Sequence, residues 1–318
     1  MKREDLHPML NCYLATREAI GLKDRGHRKL LEDFLQHAAK KRPAGPITVQ
    51  LVVEWACLTS RSDAYAGQAF RLSTARGFLT YLKTVFPETE IPPARYLKTR
   101  RRRRPYLFSR EDILRLLDCA GDQKPRGSMR AVTYPTIIGL LASTGLRVGE
   151  AVKLRVGDVQ LDPDPPLLHI FETKFLKSRW VPLHPTTAEV LRHYRERRSE
   201  AGAVQPTDPF FISYARRPVP YYTLKNLFAR LVKRLGVVAA NNQRTPSLNS
   251  LRHTFAVQRL TIWYQEGRDV RALAPQLSVY LGHKHLSDSY WYLSAMPDLL
   301  NAAADRFLSY VSEESDHD

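Results

Sequence analysis

Residues 98–105 read Lys98-Thr99-Arg100-Arg101-Arg102-Arg103-Arg104-Pro105, with five consecutive arginines. No packed core accommodates such a run, because the guanidinium groups repel one another and would lose their hydration on burial. The segment is therefore expected at the surface as a solvated linker over 93–105. It cuts the chain into two parts, and each must bury its own apolar residues. With 318 residues, 43% of them hydrophobic, there is enough material for two ordinary domains.

The part before the run, 1–92, carries apolar residues at helical spacing. Leu6, Met9, Leu10, Tyr13 and Leu14 form one stripe; Leu30, Leu31, Phe34, Leu35 and Ala38 form a second. Val49, Val52, Val53 and Ala56 make a third, and Ala75, Phe78, Leu79, Leu82 and Phe86 a fourth. The spacing predicts a small helical bundle. Breaks are expected at Pro43 to Pro46 and around Gly67, with Pro87, Pro92 and Pro93 ending the last helix.

After the run, 106–318 reads as mainly α with a small β-hairpin. Ser109 is placed to cap a helix whose apolar face is Ile113, Leu116 and Leu117, with Asp112 near its start. The apolar run Ile137, Ile138, Leu140, Leu141 predicts a buried helix stopped by Gly145. A second helix, from Val148 to Leu154, is expected at once, so Arg147 falls in a tight turn, with Glu150 three residues on to hold it. Two β-rich runs, Leu167 to Thr173 and Arg179 to Leu183, predict a hairpin with Lys174 at its tip or shoulder. Further helices are expected over about 187–198, 223–235, 248–265 and 270–281.

A formal charge of +17 and a pI near 9.9 favour a polyanionic partner. With no apolar stretch of membrane-spanning length, nucleic acid is the natural one and a membrane is not expected. The basic run then reads as a strap along phosphates, an exposed tether, or a nuclear localisation signal. Cys12, Cys57 and Cys119 are odd in number and widely spaced, which argues against a disulfide framework and a zinc site. The sequence from Met1 has no apolar signal region, and a reduced, cytoplasmic setting is expected.

Four pieces carry chemistry when taken together and in order: Ser143-Thr144-Gly145-Leu146-Arg147-Val148-Gly149-Glu150, the hairpin lysine Lys174, Leu251-Arg252-His253-Thr254-Phe255-Ala256, and Leu281-Gly282-His283 followed nine residues later by Tyr292. They resemble the catalytic domain of the tyrosine recombinase (phage integrase) family. The resemblance implies an N-terminal helical core-binding domain and a C-terminal catalytic domain that clamp a duplex between them. It makes Arg147 and Arg252 phosphate-binding arginines, Lys174 the hairpin lysine, His283 the third-box histidine and Tyr292 the nucleophile, with Tyr290 as its competitor. Where the family usually has a histidine, three residues before the second arginine, this chain has Asn249, a catalytic candidate whose amide can donate to a phosphate oxygen but cannot act as a base. Arg100, Arg101, Arg102, Arg103 and Arg104 are expected along the DNA, and Lys177 and Arg179 either at phosphates or on a solvated hairpin edge. His253 is expected to pack inside its helix. His283 and His285 lack the further ligands a metal would need, and neither metal nor cofactor is expected.

The chemistry suits those residue types. A guanidinium binds phosphate oxygens bidentately and stays charged at any working pH. A tyrosine of ordinary pKa about 10 needs nearby positive charge to attack, and the departing 5′-oxygen needs a proton, for which Lys174 is the candidate. The implied product is a 3′-phosphotyrosine that conserves bond energy without ATP. Implied partners are double-stranded recombination sites, further copies of the chain in a DNA-bound tetramer, and accessory recombinases or DNA-bending proteins. A type IB topoisomerase and a non-catalytic accessory subunit are the rival readings. The amphipathic stripe Leu300, Ala303, Ala304, Phe307, Leu308 and Val311 docks either into a neighbouring protomer or back onto its own domain, ahead of an acidic end.

Overall fold

The computed structural model describes residues 6–22, 26–58, 64–94, 96–97, 103–123, 125, 128–171, 178–200, 202, 204–283, 285 and 292. The chain divides into two compact units, Met1–Arg102 and Arg103–Asp318. Among the described residues no helix is long and apolar enough to cross a membrane.

The first unit holds α1 (Leu6–Ala19), α2 (His27–Lys41), α3 (Val49–Cys57) and α4 (Ala64–Val85). Their stripes meet in one core, in which Leu10, Leu31, Phe34, Trp55, Phe78 and Leu79 are buried. Thr48 starts α3 by accepting the Leu51 N–H at 3.4 Å. The break falls a few residues before the expected Gly67 region: α3 ends at Cys57 and α4 starts at Ala64, which puts Gly67 in its first turns. A glycine there costs at most about 1 kcal/mol relative to alanine. The buried face of Leu72, Ala75, Phe78, Leu79 and Leu82 gives this long helix reason to continue. The glycine that matters there is Gly77, whose missing side chain makes room for Tyr13 of α1: a Cβ would stand 2.6 Å from the phenol oxygen. Beyond α4 the chain returns, the Glu90 N–H donating to the Ile47 carbonyl at 2.9 Å. Ile91 and Leu97 pack on the same core, so the tether begins later than residue 93.

It also ends earlier than residue 105. The Arg104 backbone pairs with a loop of the second unit, its N–H donating to the Asn242 carbonyl at 3.1 Å and its carbonyl accepting from the Arg244 N–H at 2.8 Å. Pro105 is buried while the Arg103 and Arg104 side chains stay exposed. Arg100, Arg101 and Arg102 lie outside the described residues.

The second unit runs α5 (Arg110–Gly121), α6 (Met129–Thr144), α7 (Val148–Ala151), β1 (Val159–Gln160), β2 (Leu167–Ile170), β3 (Arg179–Pro182), α8 (Pro185–Ser199), α9 (Tyr221–Arg234), α10 (Leu248–Gln265) and α11 (Val270–Leu281). At the start of α5 the Ser109 hydroxyl accepts the Asp112 N–H at 3.0 Å. Helix α6 is apolar nearly all round because α5, α8 and α10 all pack on it. The three strands form an antiparallel sheet in the order β1-β2-β3, with Leu168 opposite Val181 and both buried. Strand β2 ends at Ile170. Residues 172–177, and with them Lys174 and Lys177, lie outside the described residues, as do Tyr290 and the amphipathic stripe from Leu300. Helix α7 stops at Ala151, short of the expected Leu154.

Candidate active site

Two helix ends build the site. Helix α6 terminates at Gly145 with φ of +63°, a left-handed turn that costs a residue with a Cβ about 1–2 kcal/mol. Space requires glycine as well, since a Cβ would meet Phe255 at 2.6 Å and Leu281 at 2.9 Å. Helix α11 terminates in the same way at Gly282, φ +67°. Both ends expose backbone carbonyls that have no partner within the helix and carry the negative end of its dipole.

Arginines take those carbonyls. Arg252, buried in the first turns of α10, donates from Nη1 to the Gly145 carbonyl and from Nη2 to the Leu281 carbonyl, each at 2.8 Å. Arg147 donates from Nη2 to the Gly282 carbonyl at 2.6 Å. Burial, then the nearby charge of Arg147, pushes the Arg252 pKa down to about 10, which still leaves it charged at neutral pH.

Glu150 ties the cluster together. Its carboxylate accepts from the Arg147 N–H at 3.0 Å and from Arg147 Nη1 at 2.9 Å, fixing the first turn of α7. It also accepts from Arg179 Nη2 at 2.9 Å and Nη1 at 3.3 Å. Burial pushes this carboxyl upward, but hydrogen bonding and charge from Arg179, with the bonds from Arg147, outweigh it and hold Glu150 below the ordinary carboxylate range. Two guanidiniums thus hold one carboxylate, and with the charge of Arg252 nearby the site is net positive.

Arg179 is a correction: it is expected at phosphate or on a solvated hairpin edge, and it is neither. Its side chain is only 10% exposed, and Nε donates to the Tyr280 carbonyl at 2.8 Å. It ties β3 to α7 and α11, because a carboxylate and a carbonyl inside the fold satisfy it better than solvent at the strand edge.

His283 follows the α11 cap, its N–H donating to the Ser278 carbonyl at 2.9 Å. Tyr292 is 2% exposed, and its ring lies nearly parallel to that of His283 with centroids 6.5 Å apart. Its hydroxyl is 2.7 Å from Nδ1 of His253. This is the second correction: His253 is half-buried and turned toward the tyrosine, not packed inside its helix. Nε2 of the same ring is 2.9 Å from the side-chain amide nitrogen Nδ2 of Asn249. Residues 249 and 253 are four apart, so α10 presents them on one face. That spacing was the available sequence signal for His253. His285 is exposed, and among the described residues no three His, Cys, Asp or Glu side chains gather as a metal site would need.

The structure therefore brings together Arg147, Glu150, Arg252, His283 and Tyr292, and joins Asn249 to them through His253. The arrangement offers clustered positive charge beside a phenol with a hydrogen-bonded imidazole.

Residues 107–297 match the model of the phage integrase family. A relative from Sinorhizobium fredii (strain NBRC 101917 / NGR234), provisionally named integrase/recombinase y4rB, is 38% identical over 299 residues, spanning 92% of this chain and 94% of its own length. Among solved structures the fold is similar to XerH site-specific recombinase bound to a palindromic difH substrate in a post-cleavage complex, with a TM-score of 0.65, 20% identity, and 91% of this chain and 80% of that one covered. It is also similar to lambda integrase as a tetramer bound to a Holliday junction, with a TM-score of 0.63, 18% identity, and 90% and 76% covered.

Proposed function

The chain belongs to the phage integrase family, and from that premise we propose that it is a site-specific DNA recombinase that cuts and rejoins strands through a covalent 3′-phosphotyrosine at Tyr292. The observation that carries the reading is the convergence of Arg147, Arg252, His283 and Tyr292 from three separate stretches of sequence on one positive site. Each guanidinium has five N–H donors, and the contacts described use two on each. The carbonyl ties fix orientation, and the remaining donors bind the non-bridging phosphate oxygens, where charge grows in the transition state. His283 adds a donor. Tyr292 Oη attacks phosphorus, the bond to the 5′-oxygen breaks, and Lys174 supplies the proton to that oxygen. The phosphotyrosine conserves the diester, so a second 5′-hydroxyl reverses the step, and the scheme needs neither metal nor ATP.

The partners are double-stranded recombination sites, bound by several copies of the chain. The tetrameric, junction-bound lambda integrase of similar fold and the integrase name of the Sinorhizobium relative support this reading, together with a role for a mobile element. A nicked suicide substrate tests it. Tyr292→Phe should abolish covalent protein–DNA adducts and leave DNA binding close to wild type. Normal adduct yield in that variant would remove Tyr292 from its role. Relaxation of plasmids at many sites by a monomer would replace the recombinase with a topoisomerase.

A further inference from the structure

Attack by Tyr292 releases a proton, and the arginines cannot take it. We infer that His253 is the base that accepts it, with Asn249 as the group that orients the imidazole, making Tyr292, His253 and Asn249 a nucleophile–base–orienter triad. The inference rests on the reading of Tyr292 as nucleophile. It stands on two contacts of one ring: Nδ1 at 2.7 Å from the tyrosine hydroxyl and Nε2 at 2.9 Å from the Asn249 amide. This is the geometry by which an activated nucleophile is recognised, a base within hydrogen-bond reach and a third group holding the base.

The amide orientation selects the tautomer. An asparagine side chain offers NH2 or, after a half-turn, its oxygen. Nδ2 of Asn249 faces Nε2; a half-turn of the amide brings Oδ1 to the same place, Nε2–H then donates to Asn249, and the lone pair on Nδ1 accepts from the Tyr292 hydroxyl. In the step itself the phenolic proton passes to Nδ1, giving an imidazolium, while the Oη lone pair forms the bond to phosphorus. The bond from phosphorus to the 5′-oxygen breaks, and that oxygen is protonated from the far side, at the place proposed for Lys174. On religation a 5′-hydroxyl attacks, Tyr292 leaves, and His253 returns its proton. The ordinary phenol pKa of about 10 lies well above the imidazole value of about 6.5. The proton therefore stays on Tyr292 at rest and moves only as the bond to phosphorus forms.

This division of labour also accounts for Asn249. An amide cannot take up a proton near neutral pH, but it can hold a histidine one helical turn on.

The test is the pH dependence of single-turnover cleavage from pH 5.5 to 9 with the full-length chain. The ring touches Asn249 and Tyr292; His283 lies against the tyrosine ring, and Tyr292 couples to the Arg252 charge, itself coupled to Arg147, Glu150 and Arg179. Of these side chains only imidazoles have an ordinary pKa inside that range. Wild type should lose rate as His253 protonates below its pKa. His253→Gln, which can hydrogen-bond but not accept a proton, should be about 100- to 10,000-fold slower and should lack the acid limb, with an unchanged melting temperature. Asn249→Asp should keep activity and move the limb to higher pH, since a carboxylate favours the imidazolium. Retention of the limb in His253→Gln would assign it to His283 and overturn the proposal, as would wild-type rate in that variant. Adducts formed by Tyr292→Phe would instead defeat the underlying reading, so the two failures are distinguishable.

Discussion

The residues that carry charge in this site were legible as residue types but not as partners. Arg147 and Arg252 stand out in sequence, yet they bond to the carbonyls of Gly145, Leu281 and Gly282, and a backbone carbonyl leaves no mark on a sequence. Arg179 was misread for the same reason, because its partner Glu150 lies on another element. His253 sits next to the second arginine and was taken for packing, since its orientation depends on where Tyr292 returns. Glu150 gives a direct test. A buried carboxylate that faces two guanidiniums leaves both without a counter-charge when it is neutralised, at a cost of about 3–5 kcal/mol. Glu150→Gln should therefore show that loss in urea denaturation at neutral pH. The sign in acid follows from its lowered pKa. The stabilisation is complete above the unfolded carboxyl value of 4.5 and fades as pH falls through the lower folded value, so the variant and wild type should converge in stability there.

Among elements, long amphipathic stripes were readable and short or shielded features were not. Helices α10 and α11 fall on their expected bounds because apolar periodicity and a cap agree at each end. Strand β1, two residues long, has no period to detect. Gly67 marks the neighbourhood of the break between α3 and α4 but not its residue, because a glycine alone does not reveal where the next helix starts. The end of α11 is the most exacting point. A Cβ on Gly282 would lie 2.7 Å from Arg179 Nη1 and 3.3 Å from Arg147 Nη1, on a left-handed φ. Gly282→Ala should lower stability by about 1–2 kcal/mol from the backbone alone and reduce adduct yield further, since both guanidiniums must shift. Adduct yield on the nicked substrate, compared at matched folded fraction by circular dichroism, separates the two effects. Wild-type yield would show that the arginines tolerate the displacement.

For the whole molecule, the division into two units was legible from the arginine run, whereas the extent of the tether was not. Packing of Leu97 on the first core and backbone pairing of Arg104 with residues 242–244 shorten it from both sides, through contacts with residues far away in sequence. The pairing holds Arg104 by its main chain and leaves its side chain in solvent. If DNA is the partner, affinity should fall with salt at a log-log slope of about −0.9 for each phosphate neutralised. Arg103→Gln with Arg104→Gln should then flatten the slope by about 1.8 when both residues meet phosphates. Fluorescence anisotropy across a salt series measures it, and an unchanged slope would make these residues a plain tether.

Because the arginines are held by main-chain atoms at the ends of α6 and α11, the site is dimensioned by counting residues. One residue inserted into either helix would turn its terminal carbonyl by about 100° and advance it by about 1.5 Å. A side-chain replacement elsewhere on the same helix leaves that carbonyl in place. Substitutions that preserve the packing of α6 and α11 are therefore compatible with the site, whereas a change in the length of either helix is not.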